Sequence, residues 1–271
     1  ILFMRGKDGI KKNYILFTLN ENNTDYDKAS RINRFDKTIF IDGSEVGGDR
    51  RYDLSIQKAI VDGTYAGRGS LDAEMEKKCA MYFRREKPYV RGIIPLPFGI
   101  RREYIKYSSG IKKDIDFFCV FGYEEYAPLR KQARESLVQF CKDNRFTYFA
   151  EKTDKENFYK MLARSKVGVS VGGGGFDTAR FWEILGNNCI LLTEKIDIYE
   201  PDSDRLKFER IWQFEDPAQF ESRLTELGKY LKNDYNQDKM ADEYNNIMSN
   251  HSTKARVLEI ISKAQEKGII G

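Results

Sequence analysis

Four consecutive glycines, residues 172–175, stand ahead of a segment that carries Arg180 and Glu183. A guanidinium can bind phosphate oxygens in a forked geometry, and a carboxylate can accept hydrogen bonds from the two hydroxyls of a ribose. Glycine has no Cβ, so a glycine turn can adopt positive φ and let a ligand lie against its backbone. These residues therefore predict a site for a nucleotide or another ligand that carries a phosphate.

The elements around the glycines agree with this prediction. The apolar run 167–171 is typical of a buried strand, and 179–186 of a helix with Asp177 or Thr178 as its N-cap. The start of a helix offers unpaired N–H groups and a partial positive charge. In an open parallel sheet, ligands bind where strands end and helices begin. The glycine run thus occupies a position suited to a phosphate.

A structural interpretation of the same residues stays open. Arg180 and Glu183 are spaced as an ordinary helical ion pair, and the glycines could serve only the close packing of strand and helix. The run also departs from the dinucleotide fingerprint, since Asp177 stands where its third glycine belongs. It lacks the G-K-[ST] of a P-loop. Both departures disfavour a nicotinamide dehydrogenase and a P-loop kinase.

The second half of the chain alternates between strand and helix patterns. The predicted strands are 115–122, 146–150, 167–171, 189–193 and 210–214, with helical segments between them and three more towards the end. Such alternation predicts parallel strands with helices on both faces, so residues from about 112 onward should form a doubly wound α/β unit.

The first half is less regular. We expect strands at 14–20 and 37–45, a helix at 71–83, and a last strand within 90–100, followed by a linker near 95–112. Asp42 and Glu45 follow the apolar run 38–41, at the end of a strand where a catalytic base would sit, although D-G-S-E is also a common turn.

Composition limits the classes of function. The 271 residues suffice for one or two domains, and a net charge of +4 with both signs interspersed does not indicate a nucleic-acid partner. A weak peripheral contact with an anionic membrane stays open. Four unpaired cysteines, one histidine and no apolar span or signal peptide predict a cytoplasmic protein without a His-rich metal site. Because the chain begins at Ile1 rather than at Met, we expect further sequence upstream.

Single charged residues have simple interpretations. We interpret His251 as a packing residue near a helix N-terminus. Arg84 and Arg85 could face an acidic acceptor, but we favour a solvated surface. Asp202 and Asp204 form a D-x-D of the kind that binds metals in GT-A transferases, but they lie late in the chain and in a loop.

Three segments resemble GT-B glycosyltransferases, most closely the spore-maturation-protein-like and group 1 enzymes. In residues 165–195 a strand and a loop lead into R-x-x-E on a helix, then into an apolar strand. Residues 115–137 are similar to the first strand, loop and helix of the same domain. Residues 250–261 carry that group's late His followed five residues on by Arg. The resemblance covers roughly 112–265.

The resemblance implies two Rossmann-like domains, an acceptor-side domain at 1–100 that is small or truncated and a nucleotide-sugar-binding domain at 101–271. It implies sugar transfer from a nucleotide sugar to a hydroxyl of a glycan, lipid-linked or protein acceptor, with neither metal nor cofactor. Glu183 would bind the donor ribose, Arg180 and Arg130 would approach the diphosphate, and the nucleobase would lie near 150–153. The backbone cradle would comprise Gly173, Gly174, Gly175, Phe176, Asp177 and Thr178.

One departure from this family bears on mechanism. Many retaining members carry a second carboxylate eight residues before the ribose-binding one, and Gly175 occupies that position here. Because one fold can host different functions, two other classes stay open: a non-catalytic module that binds nucleotide sugars or a partner, and a sugar-nucleotide epimerase on a similar sheet.

Overall fold

A computed structural model describes most of the chain and contains two sheets. The described residues are 2–5, 12–18, 38–43, 71–86, 91–124, 127–196, 198–199 and 203–270. Glu45 and Asp202 lie outside them.

The first sheet has five strands in chain order. They are β1 (Leu2–Arg5), β2 (Lys12–Thr18), β3 (Thr38–Asp42), β4 (Met81–Arg84) and β5 (Ile94–Pro95). Only the β1–β2 pair is antiparallel, and β2 to β5 pair in parallel. Residues from several distant parts of the first half thus form one layer.

The helix predicted at 71–83 is wrong in its second half. Helix α1 (Ala73–Lys78) begins after the cap Asp72, whose side chain accepts from the N–H groups of Glu74 and Met75. The chain then turns into β4, whose four residues are all buried. A strand that is buried on both faces shows no alternation, so its apolar run reads as a continuation of the helix.

The second sheet is entirely parallel, as predicted. Its strands are β6 (Ile115–Phe118), β7 (Tyr148–Phe149), β8 (Ser165–Ser170), β9 (Ile190–Glu194) and β10 (Ile211–Phe214), in the order β10-β9-β8-β6-β7. Its helices are α2 (Pro128–Asn144), α3 (Lys155–Ala163), α4 (Ala179–Gly186), α5 (Pro217–Asn233) and α6 (Ala241–His251). Apolar clusters cover both faces of the sheet. The α/β class is therefore confirmed.

The last helix returns to the first sheet. Helix α7 (Thr253–Glu266) begins at the cap Ser252, and Ile260 and Ala264 on it are buried. They complete an apolar cluster with residues of β3, β4 and the segment after β5, namely Ile39, Ile41, Met81, Phe83 and Leu96. Division of the chain near residue 100 stays a prediction.

Candidate functional site

A cavity of about 350 Å³ lies beside the glycine run. Tyr123 follows β6 and the glycines follow β8, and these neighbouring strands are the point where the strand order of the sheet reverses. Ligands of open α/β sheets bind at such a reversal. The described lining residues are Arg85, Phe98, Tyr123, Arg130, Gly173, Gly174, Gly175, Thr178 and Ala179.

The glycines are needed because charged side chains lie against their backbone. A Cβ at Gly175 would stand 1.8 Å from Oε1 of Glu86, and one at Gly173 would stand 2.6 Å from Nη2 of Arg130. Positive φ is not the reason, because the described glycines with positive φ are Gly92, Gly110 and Gly268. Close approach of Glu86 and Arg130 therefore explains the missing side chains at Gly175 and Gly173.

Several N–H groups of the loop already have partners. Gly172 N donates to Glu194 Oε2 at 3.1 Å, Gly173 N to Gly175 O at 3.0 Å, and Asp177 N to Glu86 Oε1 at 3.2 Å. Within the described part of the chain, the N–H groups of Gly174, Gly175, Ala179 and Arg180 have no hydrogen-bond partner. The end of the loop and the first turn of α4 therefore retain donors for an anion.

Two arginines reach the cavity, one from helix α2 and the other from the end of β4 in the first sheet. Arg130, on α2, donates to Gly172 O at 3.0 Å and to Tyr123 O at 2.9 Å, so its guanidinium is held at the loop. Arg85 follows β4 and lies 4.0 Å above the ring of Phe98. Both guanidinium groups present a fixed positive charge to the cavity.

The interpretation of Arg84 and Arg85 as a solvated surface is wrong. Their residues are 0% and 8% exposed. Arg84 forms an ion pair of 2.9 Å with Asp42, and Arg85 one of 3.3 Å with Asp177. A burial this complete requires a charged partner, and each arginine has one.

Asp177 faces the interior. Its carboxylate accepts from Trp182 Nε1 and from the amide of Phe98, each at 2.7 Å, in addition to Arg85. Burial raises the pKa of this carboxyl, and the three donors oppose the rise. Thr178 is the N-cap of α4 and accepts from Phe181 N. The carboxylate of Asp177 instead joins the loop to Arg85 and Phe98, which come from distant parts of the chain.

Arg180 and Glu183 form the helical ion pair that the structural interpretation describes. Nη1 of Arg180 lies 2.8 Å from Oε2 of Glu183, and Tyr159 Oη donates to Oε1 at 2.8 Å. The guanidinium lies 4.1 Å above the ring of Phe158. Neither charged residue is among the described residues that line the cavity. Their predicted contacts with ribose and diphosphate stay predictions.

The other predicted residues fall in different places. Phe176 belongs to the core cluster under α4. Asp42, the described candidate base, is 2% exposed and its Oδ2 accepts from Tyr82 Oη at 2.6 Å and from Arg84. Asp204 is exposed and pairs with Lys207. Within the described ranges, no group of three potential ligands could hold a metal ion.

His251 is a packing residue close to a helix N-terminus, as predicted, because it ends α6 and directly precedes Ser252, the N-cap of α7. Its ring stacks on Trp182 at 5.4 Å, Nε2 lies 2.8 Å from Arg205 O, and Nδ1 lies 2.9 Å from Arg256 Nη2. Burial, with Arg256 and Arg205 close by, lowers the pKa of His251 to about 3. The His and Arg of segment 250–261 thus contact each other directly.

Comparison with known proteins gives a fold. No family model matches the chain, and no curated protein matches it. The crystal structure of a GtfA/B complex matches 93% of this chain at a TM-score of 0.50 and 9% identity. The pneumococcal O-GlcNAc transferase GtfA, crystallised with UDP and GlcNAc, matches 89% at a TM-score of 0.50 and 11% identity. The chain shares the fold of these two structures.

The match extends over only part of these structural neighbours. The chain spans 57% and 59% of their lengths. The likeness to the spore-maturation group is not tested by these matches and stays a prediction. In the described ranges, no helix is both long enough and apolar enough to cross a bilayer.

Sequence reasoning missed several residues at the site. Arg85, Phe98 and Tyr123 line the cavity, while Glu86 and Glu194 bind the loop's N–H groups. Tyr123 carried a signal, because it directly follows a predicted strand that leads into the cleft. No sequence signal placed Arg85 and Glu86 at the site, because most of β4, which precedes them, was predicted as part of a helix.

Proposed function

We propose that the chain transfers a sugar from a nucleotide-sugar donor to an acceptor hydroxyl, and that the donor diphosphate binds in the cavity beside the glycines. The observation that carries the proposal is the convergence of Arg85, Arg130 and the unpartnered N–H groups of residues 174, 175 and 179 around this cavity. Fixed donors at the position of developing charge are the main source of catalysis in such reactions.

The charges around the cavity suit a leaving diphosphate. Its described lining contains two guanidiniums and no carboxylate. Arg130 is held by carbonyls of the loop and Arg85 by Asp177, so neither must reorganise as the sugar–phosphate bond breaks. The proposed reaction therefore uses protein cations where other transferases use a metal ion.

The structural neighbours support this class of ligand. One of them was crystallised with UDP and GlcNAc. By analogy we propose a nucleoside diphosphate sugar as the donor, with Arg180 and Glu183 on the nucleotide side, as the sequence predicts. The acceptor hydroxyl would approach from the side of the first sheet.

A non-catalytic nucleotide-sugar-binding module is the second candidate. The observation that favours it is Asp42, whose Oδ2 is bound by Tyr82 and Arg84 instead of standing ready to accept a proton. Release of nucleoside diphosphate from a nucleotide sugar in the presence of an acceptor would decide for the transferase. A changed sugar on an intact nucleotide would decide for an epimerase.

Titration with UDP and GDP, followed by thermal unfolding and calorimetry, tests the site. A ligand that binds the folded chain raises its melting temperature. We expect Arg130→Ala to weaken diphosphate binding by roughly ten- to hundredfold, since hydrogen bonds to charged groups contribute about 1.5–3 kcal/mol. The nucleoside without phosphates should bind both forms equally.

Arg134→Ala is the matched control. Arg134 lies one turn further along α2, pairs with Glu124, and is not among the described lining residues. It should leave the affinity for both ligands unchanged. If neither diphosphate binds the unaltered chain at millimolar concentration, the proposal is rejected.

A further inference from the structure

A second and larger cavity lies at the opposite edge of the second sheet. Its volume is about 400 Å³, and it adjoins the beginnings of β9 and β10, whereas the first cavity adjoins the ends of β6 and β8. Its described lining residues are Ile190, Glu209, Arg210, Trp212, Tyr230, Lys239, Met240 and Glu243. The proposed sugar transfer does not use this cavity.

One wall of this second cavity is rigidly built. Arg210 is 1% exposed, and its Nε donates to Glu243 Oε2 at 2.6 Å. Its Nη1 donates to Asn188 Oδ1 at 2.7 Å, and its Nη2 donates to Met240 O. Each of the three nitrogens of this guanidinium makes a hydrogen bond to the protein, so Arg210 fixes the shape of the wall.

Other polar groups around the cavity are unoccupied. Within the described part of the chain, the side chains of Trp212, Tyr230, Lys239 and Glu209 make no hydrogen bond or ion pair. The indole N–H and the ammonium are donors, the carboxylate is an acceptor, and the phenol is both. A ligand seated here would meet donors and acceptors in mixture.

The charges of the cavity distinguish its ligand from that of the first one. Arg210 and Lys239 balance Glu209 and Glu243, whereas the first cavity has two arginines and no carboxylate in its described lining. With its cations balanced in this way, the cavity lacks the excess of positive charge that favours a phosphate. The rings of Trp212 and Tyr230, with centroids 6.1 Å apart and planes at 51°, form an angled aromatic surface.

We propose that this second cavity binds a neutral sugar ring. Sugar hydroxyls both donate and accept hydrogen bonds, which matches the mixed unoccupied groups, and the C–H face of the ring packs on aromatic side chains. Indole and phenol rings combine an apolar face with a polar edge and suit such a ligand. The inference stands on this cavity alone and does not require that the chain transfer sugar.

Saturation-transfer NMR with free N-acetylglucosamine, glucose and galactose at millimolar concentration tests the proposal. We expect signal transfer to at least one sugar, and a shift in tryptophan emission, because Trp212 is one of two tryptophans and the other, Trp182, is fully buried. Trp212→Ala should weaken binding about tenfold, the order of magnitude of a lost aromatic contact. UDP at saturation should not compete.

Two variants keep the test independent of folding. Lys239→Ala and Glu209→Ala change exposed side chains and should each lower the affinity severalfold. Tyr148→Ala, which removes an exposed aromatic residue from β7 at the far edge of the same sheet, should have no effect. Absence of binding to the unaltered chain, equal binding by the cavity variants, or displacement of the sugar by UDP would each overturn the proposal.

Discussion

At the scale of single residues, Glu183 has two partners whose loss must be separated from loss of a ligand. Its carboxylate accepts from both Arg180 and Tyr159, and its side chain is only 11% exposed. An exposed helical pair contributes about 0.2–0.5 kcal/mol, but removal of this partly buried carboxylate leaves a phenol and a guanidinium unpaired at a cost of about 1–3 kcal/mol. Stability alone therefore cannot reveal a ribose contact.

Binding separates the two roles of this pair. We expect Glu183→Ala to weaken both uridine and UDP by roughly ten- to hundredfold, because both ligands carry the ribose. Arg180→Ala should weaken UDP and spare uridine. Calorimetric titration of both variants measures the pattern, after circular dichroism has shown that they fold. Unchanged affinity in both variants would leave the pair with a structural role only.

His251 should make the fold sensitive to acid. The folded-state pKa of about 3 lies below the ordinary histidine pKa of 6.5. The unfolded chain therefore takes up the proton first, and stability falls as the pH decreases below about 6.5. This single group should cost about 1 kcal/mol between about pH 7.5 and about pH 5.5. Urea unfolding at the two pH values measures the loss.

The comparison needs a variant because Asp177 acts in the opposite direction. Its carboxyl has a raised pKa, so its contribution favours the folded state as the pH falls. His251→Gln keeps a polar side chain between Arg205, Arg256 and Trp182 but cannot titrate. Its free energy of unfolding should decrease less over the same interval. Equal slopes in the two proteins would contradict the assignment to His251.

At the scale of elements, the conformation of the loop between β8 and α4 depends on the charged side chains that pack against its glycines. We expect Gly175→Ala to displace Glu86, whose carboxylate fills the space of the new methyl group, and to abolish or strongly weaken diphosphate binding. Loss of the Glu86 contact also frees the amide of Asp177. Calorimetry with UDP, beside thermal unfolding, reports both effects.

Gly122→Ala is the matched control for this substitution. Gly122 lies in the neighbouring loop after β6, has no atom within 4 Å of an added Cβ, and does not have positive φ. Affinity and stability should remain close to those of the unaltered chain. If Gly175→Ala is equally harmless, the close packing of Glu86 does not determine the site.

The elements of the second half were predictable because each shows a local sequence pattern typical of its type. The strands 167–171 and 189–193 are continuous apolar runs, and α4 has a cap and a clear apolar face, so type and order followed from local sequence. The first half was less predictable, since β4 pairs with β3, whose residues are more than 40 positions away. No local sequence pattern indicates that pairing. Because β4 was not predicted, the positions of Arg85 and Glu86, which directly follow it, could not be predicted either.

At the scale of the whole molecule, the proposed chemistry relies on fixed cations. We expect sugar transfer, measured as release of nucleoside diphosphate, to survive an excess of EDTA. Arg85 and Arg130 stabilise the departing charge in the proposed mechanism, and chelation does not affect them. Loss of activity with EDTA and its recovery with manganese would instead direct attention to the loop that contains Asp202 and Asp204.

Both halves of the molecule contribute to the first cavity. Arg85 comes from the first sheet and donates to the carboxylate and carbonyl of Asp177, while the amide of Phe98 donates to the same carboxylate. Arg256 on α7 donates to the carbonyl groups of Pro97 and Phe98. The positions of the cations at the cavity therefore depend on contacts between distant parts of the chain.

The return of α7 to the first sheet has a consequence for biosynthesis. Residues 39–41 and 81–83 leave the ribosome early, yet Ile260 and Ala264, which complete their apolar cluster, are translated about 180 residues after β4. Among the described residues, α7 is the helix that contributes to this cluster, so the nascent first sheet lacks that contact until α7 is made, while the second sheet already has its helices. The first half to be synthesised should thus be the last to become stable, and ribosome-bound chains that stop before α7 should depend on chaperones.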